Sequence, residues 1–283
     1  MKQLLFLYLS FLLWPTTSVA QSLDSSYTDS LRVVHLLSEA AKLPSDTNLI
    51  LWFARKFVGQ PYVAKTLEVN QEEKLIVNLR ELDCTTYVET VLALYACTKN
   101  GQRSFAHFKH HLQQIRYRDG IISYPTRLHY FSEWIDNNTI KGYVCERQIP
   151  NPPFTAIQIL HIDYMRSHVN QYPMLVSHPE WISQITNMER RLTGNQYRYI
   201  PKGTPTNTTL MRRTIHDGDI IALTTMKPGL DTSHIGIAVW HDDGLHLLNA
   251  SLLRKKVIEE ILTIDQYQQR QTSQTGFRVV EVK

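Results

Sequence analysis

The segment ELDCTTYVETVLALYA at residues 81–96 places a cysteine at the start of a predicted helix. Asp83 is a favourable N-cap residue, and the apolar residues between 88 and 95 recur at helical spacing, which turns one apolar face toward a core. A helix N-terminus carries unpaired amides and a partial positive charge, which favour a thiolate over a thiol. The same amides can hold an oxyanion beside the sulfur. The position of Cys84 therefore predicts a nucleophile, which needs a base and a residue that orients the base.

The C-terminal half of the chain predicts antiparallel strands that could carry this base. HDGDIIALTT at 216–225 has a Gly-Asp turn before an apolar run, and SHIGIAVW at 233–240 is apolar and β-branched. The turn signal HDDG follows, and LHLLNAS at 245–251 returns. A histidine and an asparagine lie on the last two of these strands.

The register of that hairpin decides whether the two residues meet. A two-residue turn at 242–243 places Gly236 opposite Asn249. Because side chains alternate along a strand, His234 shares a face with Gly236 and becomes a diagonal neighbour of Asn249. A turn of odd length would move Asn249 to the other face and separate the pair.

Each of these residues has a simpler interpretation when it is taken alone. A lone cysteine is often a small buried hydrophobe, and His234 and Asn249 are then ordinary polar residues near strand ends. Together, Cys84, His234 and Asn249 supply the nucleophile, base and orienting group of a papain-like site.

The first residues predict export. MKQLLFLYLSFLLWPTTSVA at 1–20 has one Lys near its start, an apolar run over 4–14, and small residues before Gln21. This layout is typical of a secretory signal peptide, and the run is short for a membrane span. The mature protein, residues 21–283, is expected to be exported without stable membrane insertion.

Composition excludes some classes of function. The net charge of +4 is small and evenly spread, so nucleic acid is not an expected partner, and RKK at 254–256 is interpreted as a solvated face. The three cysteines, at 84, 97 and 145, leave at least one free thiol in a monomer. A disulfide between Cys97 and Cys145 stays open at this stage, as does the oligomeric state.

The sequence resembles the NlpC superfamily of bacterial cell-wall cysteine peptidases, which are distant relatives of papain. The resemblance rests on five segments in order: FVGQPYV (57–63), LDCTTYVE (82–89), GDII (218–221), SHIGIAVW (233–240) and LLNAS (247–251). Two departures matter. Thr85-Thr86 stands where Ser-Gly usually follows the cysteine, which suggests a differently shaped pocket. Asn249 stands where His is commoner, and it keeps the acceptor that orients an imidazole.

The resemblance implies an α+β fold, with a papain-like core and the nucleophile Cys at a helix N-terminus packed on an antiparallel sheet. Cys84 would be the nucleophile, His234 the general base that later protonates the leaving amine, and Asn249 the residue that orients the imidazole. Tyr62 is expected beside the thiol, where it helps to bind the reacting carbonyl, and Asp83 is grouped with it as a substrate-binding residue. No cofactor or metal is expected.

A large, mostly helical insertion is predicted at about 104–215, between the cysteine helix and the strands. Helices are expected at 104–117, from about Leu128 to 138, and near 178–192. Because Pro and Gly punctuate the insertion without a Gly/Ser linker, it is assigned to one domain with the core. His107, His110 and His111 have a spacing suited to a metal, but a solvated helix face is the favoured interpretation.

One part of the insertion suggests a sugar site. Tyr124, Arg127, His129, Tyr130 and Trp134 mix aromatic faces with hydrogen-bond donors. Arg127 and His129 are the predicted sugar contacts, and the alternative is an aromatic helix packed in the core.

With the segment RDGIISYPTRLHYFSEWI at 118–135 included, the chain resembles a branch of periplasmic N-acetylmuramoyl-L-alanine amidases long described as a domain of unknown function. This resemblance implies a cysteine amidase that cuts the lactyl–L-Ala amide of soluble anhydro-muropeptides during peptidoglycan turnover. Two alternatives stay open: a γ-D-glutamyl–diamino acid endopeptidase, and a catalytically silent muropeptide-binding module.

Overall fold

The computed structural model describes residues 17–283, with side chains described from Tyr27 onward. The predicted signal peptide lies outside the described residues, apart from the backbone of its last four, which begins the first helix. The helices are Thr17–Ala40 (α1), Leu49–Arg55 (α2), Cys84–Lys99 (α3), Phe105–Arg116 (α4), Phe131–Ile140 (α5), Tyr164–Ser167 (α6), Pro173–Ser177 (α7), Ile182–Leu192 (α8), Thr209–Thr214 (α9) and Ile264–Gln269 (α10). Over residues 17–283, the helices do not include one that is both apolar enough and long enough to cross a membrane.

The strands form one antiparallel sheet. They are Val144–Glu146 (β1), Ala156–Ile159 (β2), Gln196–Pro201 (β3), Ile220–Thr225 (β4), Thr232–His241 (β5), Gly244–Ser251 (β6), Lys256–Glu259 (β7) and Gln274–Val282 (β8). The strand order is β2-β3-β8-β4-β5-β6-β7, and β1 also pairs with β8. The fold is therefore α+β with an antiparallel sheet, as the sequence predicts.

The alternation of side chains along the central strands builds a core on each face of the sheet. On β4, Ile220 and Ala222 pack with helix α3, whereas Ile221 and Leu223 pack with α9 and α10 on the other face. A third apolar cluster lies inside the insertion, where Met188 and Leu192 of α8 pack with residues such as Tyr130. Helix α3 therefore packs against the sheet through its apolar side, and its N-terminus lies beside strand β5.

The predicted hairpin is confirmed in its register. Strands β5 and β6 pair from His241/Gly244 to Ile237/Leu248, which is the register of a two-residue turn at 242–243. The glycine at 236 lies against β6 so closely that a Cβ there would stand 2.9 Å from the Cβ of Asn249. Only glycine lets Asn249 lie under this part of β5.

The insertion differs from the prediction because it also contains strands. Strands β1, β2 and β3 come from it, and both β1 and β3 pair with the C-terminal strand β8. These strands have three, four and six residues, too short for a clear alternating pattern in the sequence. The predicted helix at 104–117 is present as α4, and the helix expected from Leu128 begins at Phe131.

Candidate active site

Cys84 is the first residue of helix α3, and a capping box fixes where that helix begins. Oδ1 of Asp83 accepts the amide of Thr86 at 2.8 Å, and Oγ1 of Thr86 accepts the amide of Asp83 at 2.9 Å. The first amides of a helix have no acceptor within the helix. Those of Cys84 and Thr85 therefore point out of the helix end at the position of the sulfur.

The sulfur of Cys84 meets the sheet where β5 and β6 separate. The amide of Ile235, two residues beyond the last β5–β6 pair, and the amide and hydroxyl of Thr85 lie near this sulfur and favour its thiolate form. Burial, followed by the charge of Asp83, nevertheless raises the pKa of the thiol to about 12. Loss of water at this site thus opposes the thiolate that the helix N-terminus and the nearby donors favour.

His234 and Asn249 form the predicted hydrogen bond. Nε2 of His234 lies 2.9 Å from Oδ1 of Asn249, which is fully buried. The amide of Asn249 is itself fixed, because Nδ2 donates to the carbonyl of Leu247 at 3.2 Å. Since Oδ1 can only accept, Nε2 carries the hydrogen and Nδ1 keeps its lone pair. Burial lowers the pKa of His234, so the imidazole is neutral near pH 7 and Nδ1 can accept a proton.

Tyr62 lies beside Cys84 through backbone contacts. Its amide donates to the carbonyl of Lys255 at 3.0 Å, and its backbone pairs with Leu82, two residues before the cysteine. Burial and then the nearby Cys84 and Asp83 raise the pKa of the Tyr62 hydroxyl, which therefore stays protonated and can donate.

Cys84 and His234 line one cleft of about 180 Å³. The cleft also contains Asp231, a buried residue that sequence reasoning missed. Its carboxylate accepts the amide of Ser132 at 2.6 Å and that of Thr232 at 2.7 Å. Asp231 therefore ties helix α5 of the insertion to the beginning of β5, three residues before His234. No motif marks it in the sequence.

A second cavity of about 220 Å³ lies beside the cleft, and Thr85, Leu128 and His129 line both. His129 is partly buried, and its Nε2 donates to the carbonyl of Tyr124 at 2.8 Å. Burial, followed by the charge of Arg127, lowers the pKa of His129 to about 3. His129 is thus a neutral group at the junction of the two spaces, within reach of a bound ligand.

Arg127, a predicted sugar contact, is almost fully buried and paired with two carboxylates. Its side chain is only 6% exposed, and its guanidinium bonds Glu68 and lies 3.5 Å from Glu73. These carboxylates hold the guanidinium in the wall of the second cavity, which Arg127 lines. Tyr124, Tyr130 and Trp134 are also buried, as the alternative of an aromatic core predicts.

The histidine cluster of α4 has a structural explanation. His111 is buried, with Nδ1 2.7 Å from the hydroxyl of Tyr143 and Nε2 2.8 Å from Oε1 of Gln102. Among the side chains described from Tyr27 onward, the His, Cys, Asp and Glu residues form no group of three or more that could hold a metal ion. Cys97 and Cys145 are free thiols, so the disulfide left open by the sequence is not formed.

The structure thus places a thiol and a neutral imidazole in one cleft of an α+β fold, with the buried amide of Asn249 hydrogen-bonded to the imidazole. The sequence matches the AmiA-like, N-acetylmuramoyl-L-alanine amidase-like family over residues 52–273. The chain belongs to this family. A search of curated proteins finds no match.

Solved structures extend the comparison. An N-acetylmuramoyl-L-alanine amidase from Bacteroides uniformis is 37% identical, with 87% of this chain and 99% of that chain covered and a TM-score of 0.76. A provisionally named xylanase from Bacteroides fragilis is 40% identical. The match covers 82% of this chain and 100% of that chain, with a TM-score of 0.75. A protein from Legionella pneumophila shares the fold, with a TM-score of 0.68. It is 19% identical, and the match covers 94% of this chain and 97% of that chain.

Proposed function

We propose that this protein is a cysteine-dependent N-acetylmuramoyl-L-alanine amidase with a papain-like core of the NlpC type. One observation carries the proposal: the imidazole of His234, oriented by Asn249 at 2.9 Å, lines the same cleft as Cys84 at a helix N-terminus. Membership of an amidase-like family and 37% identity to an amidase support the proposal that the bond it cuts is an amide.

In the acylation step, Nδ1 of His234 takes the proton of the Cys84 thiol as the sulfur attacks the lactyl carbonyl of the muramoyl group. The carbonyl oxygen gains negative charge, and the free amide of Cys84 and the hydroxyl of Tyr62 donate to it. The intermediate collapses when Nδ1–H of His234 protonates the nitrogen of L-Ala. The amide C–N bond breaks, the peptide leaves, and a thioester on Cys84 remains.

In the deacylation step, water attacks the thioester. His234 takes a proton from this water and returns it to the sulfur, which regenerates the thiol and releases the muramoyl carboxylic acid. Throughout, Asn249 keeps the ring in the orientation in which Nδ1 faces the reaction. The net reaction consumes one water and yields the sugar acid and a free stem peptide.

The proposed substrates are soluble anhydro-muropeptides in the periplasm. The predicted signal peptide supports the compartment. The small cleft and adjoining cavity, walled by insertion residues such as Leu128 and His129, suit a detached fragment better than a long cross-linked strand. The oligomeric state has no bearing on this assignment, because one chain supplies the thiol, base and orienting residue.

A glycosidase function, which the name of the B. fragilis neighbour raises, fits the cleft poorly. Glycosidases use a pair of carboxyl groups that flank the scissile bond. Among the described residues that line the cleft at Cys84, Asp231 is the only carboxylate, and two backbone amides occupy it. The γ-D-glutamyl–diamino acid endopeptidase uses the same chemistry on a different bond and is the second candidate.

Product analysis separates these candidates. Purified protein is incubated separately with a disaccharide-anhydro-tetrapeptide, the sugar-free tetrapeptide and intact sacculi, and the products are identified by mass spectrometry. The amidase proposal requires a free disaccharide and an intact stem peptide from the first substrate. Cleavage of the sugar-free peptide between D-Glu and the diamino acid, with the muramoyl amide untouched, would establish the endopeptidase instead. Binding without any cleavage would support the muropeptide-binding module.

A further inference from the structure

A buried carboxylate, Glu260, lies immediately after strand β7, and the proposed mechanism does not use it. Its side chain is only 2% exposed. Its amide donates to the carbonyl of Leu247 at 2.9 Å, and its carbonyl accepts Nδ1–H of His246 at 2.8 Å, so its backbone is fixed against β6. Burial of a carboxylate is unfavourable unless the charge is well paired, which suggests a role for Glu260 beyond packing.

Hydrogen bonds within the protein do not explain this carboxylate. Oε1 of Glu260 has no hydrogen-bond partner among the described residues, and Oε2 lies 3.7 Å from Nε of Arg254, beyond hydrogen-bonding distance. The side chain of Arg254 is 45% exposed, so solvent weakens this ion pair. Glu260 is therefore a loosely paired charge in a buried region, where a charge acts strongly on neighbouring groups.

The register of the sheet places Glu260 on the face that carries the catalytic imidazole. The hydrogen bond from Glu260 to Leu247 continues the pairing of β7 with β6, so these two residues lie opposite each other. Because side chains alternate, Glu260 shares a face with Asn249. Asn249 thus has His234 as its diagonal neighbour on the β5 side and Glu260 on the β7 side.

The side chain of Glu260 extends toward the end of the sheet that carries His234. Its partner Arg254 belongs to the turn between β6 and β7, which lies at the same end of the sheet as the beginning of β5. Tyr267 of α10 gives a second indication of this direction, because burial, followed by the charges of Glu260 and Cys84, raises the pKa of its hydroxyl to about 12. The carboxylate and the thiol are therefore both within electrostatic reach of one tyrosine.

Two negative charges act on the protonation of His234. Burial lowers its pKa, and the hydrogen bond to Asn249, the charge of Glu260 and the charge of Asp83 oppose this change in decreasing order of effect. The other titratable side chains around the thiol and the imidazole are Cys84, His129, Tyr62, Tyr130 and Asp231. Burial shifts the pKa of the first four so that they are neutral near pH 7, and Asp231 accepts two backbone amides.

We propose that Glu260 is a positioning residue of the amidase whose carboxylate stabilises the imidazolium that His234 forms when it takes the proton of the Cys84 thiol. Asn249 fixes the orientation of the ring, and Glu260 supplies the negative charge that a neutral amide lacks. No proton moves to Glu260. The inference rests on the proposed function, because it concerns the charge that develops on the base during that reaction.

The test replaces Glu260 by Gln, which keeps the shape of the side chain and removes its charge. Glu259→Gln is the matched control, because Glu259 precedes it on β7, points to the other face and pairs with Arg55 at 3.1 Å and His241 at 2.5 Å. Thermal unfolding shows whether each variant is folded. One readout is the pH dependence of kcat/KM for the disaccharide-anhydro-tetrapeptide. The other is the pH dependence of alkylation of Cys84 by iodoacetamide, followed by mass spectrometry, which needs no turnover.

We expect Glu260→Gln to move the acid limb of both profiles down by about half a pH unit or more, because the imidazolium loses an attractive charge. Since the ring is then a weaker base, kcat on the pH plateau should fall by about three- to tenfold with little change in KM. Alkylation of Cys84 near neutral pH should slow by a similar factor. Glu259→Gln should leave these quantities unchanged, and Glu260→Asp, which keeps the charge, should lie between the wild type and the Gln variant.

The outcomes separate this inference from the proposed function. An acid limb that stays in place in both profiles of a folded Glu260→Gln protein would overturn the electrostatic role. Equal losses in the Asp and Gln variants would assign the effect to packing and would overturn it as well. A wild-type protein that leaves the muramoyl amide intact would refute the proposed function, and the alkylation profile would still decide whether Glu260 acts on His234.

Discussion

Replacing Asn249 by Ala tests how the catalytic imidazole is held. In the wild type, Nε2–H of His234 donates to Oδ1 of Asn249 at 2.9 Å in a fully buried position. The Ala variant leaves this donor without its acceptor, which costs about 1–3 kcal/mol for a buried group. If the ring turns away to avoid this cost, the fraction of molecules with the productive ring orientation falls by about 5- to 150-fold. We expect kcat to fall by that factor with little change in KM, because Asn249 does not line the cleft.

The Asn249→Asp variant tests the same hydrogen bond through the pH dependence of kcat/KM. Burial lowers the pKa of His234, so the acid limb of kcat/KM in the wild type should lie below about 6.5, the ordinary value for histidine. Below that limb the ring is protonated and cannot take the thiol proton. A carboxylate at position 249 stabilises the imidazolium, raises the pKa of His234 and should move the acid limb to higher pH.

The assay for both variants follows release of the anhydro-disaccharide by chromatography between about pH 4 and pH 9. Asn138→Ala is the matched control, because Asn138 is equally buried and donates to two carbonyls, of Ile115 and Trp134, away from the cleft. It should lose stability but keep specific activity. A folded Asn249→Ala protein as inactive as His234→Ala, or an Asp variant whose acid limb does not move upward, would refute the orienting role.

The other predictions concern the nucleophile, the base, the buried arginine and export. Cys84→Ala should abolish turnover and keep the fold, and near-normal hydrolysis in a product assay would contradict its role. His234→Ala should lose at least about 10²–10⁴-fold in kcat, since the base is removed; a loss smaller than that of Asn249→Ala would exclude it as the base. Arg127→Ala should lower the free energy of unfolding in urea by about 3–5 kcal/mol, because Glu68 and Glu73 lose their buried partner; an unchanged midpoint would argue against the buried network. Mass spectrometry of exported protein should find an N-terminus near Gln21, and an intact Met1 would contradict cleavage.

Sequence reasoning was most successful where the structure is set locally. The start of α3 depends on Asp83 and Thr86, three residues apart, and the β5–β6 register depends on a two-residue turn. From these two local features, the hydrogen bond between His234 and Asn249 follows by counting residues. The order of secondary structure from residue 216 to 251 was predictable for the same reason.

Contacts between distant segments were not predictable. Strand β8, for which the sequence offered no prediction, lies in the middle of the sheet beside β4. Arg127 looked like a free donor because its partners, Glu68 and Glu73, lie about 60 residues earlier in an irregular loop. Asp231 was missed because its role depends on the amide of Ser132, 99 residues away. Such pairings follow from tertiary packing, which overrides local pattern.

The protonation of Cys84 changes what its helix position contributes to the proposed mechanism. The sequence predicts that the amides of this helix end favour the thiolate and can also hold an oxyanion, but burial and Asp83 raise the pKa of the thiol to about 12. The resting pair is then a thiol and a neutral imidazole, and negative charge appears only when the sulfur attacks. Interactions that are stronger in the transition state than in the ground state accelerate a reaction, whereas stabilisation of a resting thiolate would also lower the ground state. In the proposed mechanism the free amide of Cys84 therefore acts on the carbonyl oxygen, as part of an oxyanion hole that contributes only when the bond forms.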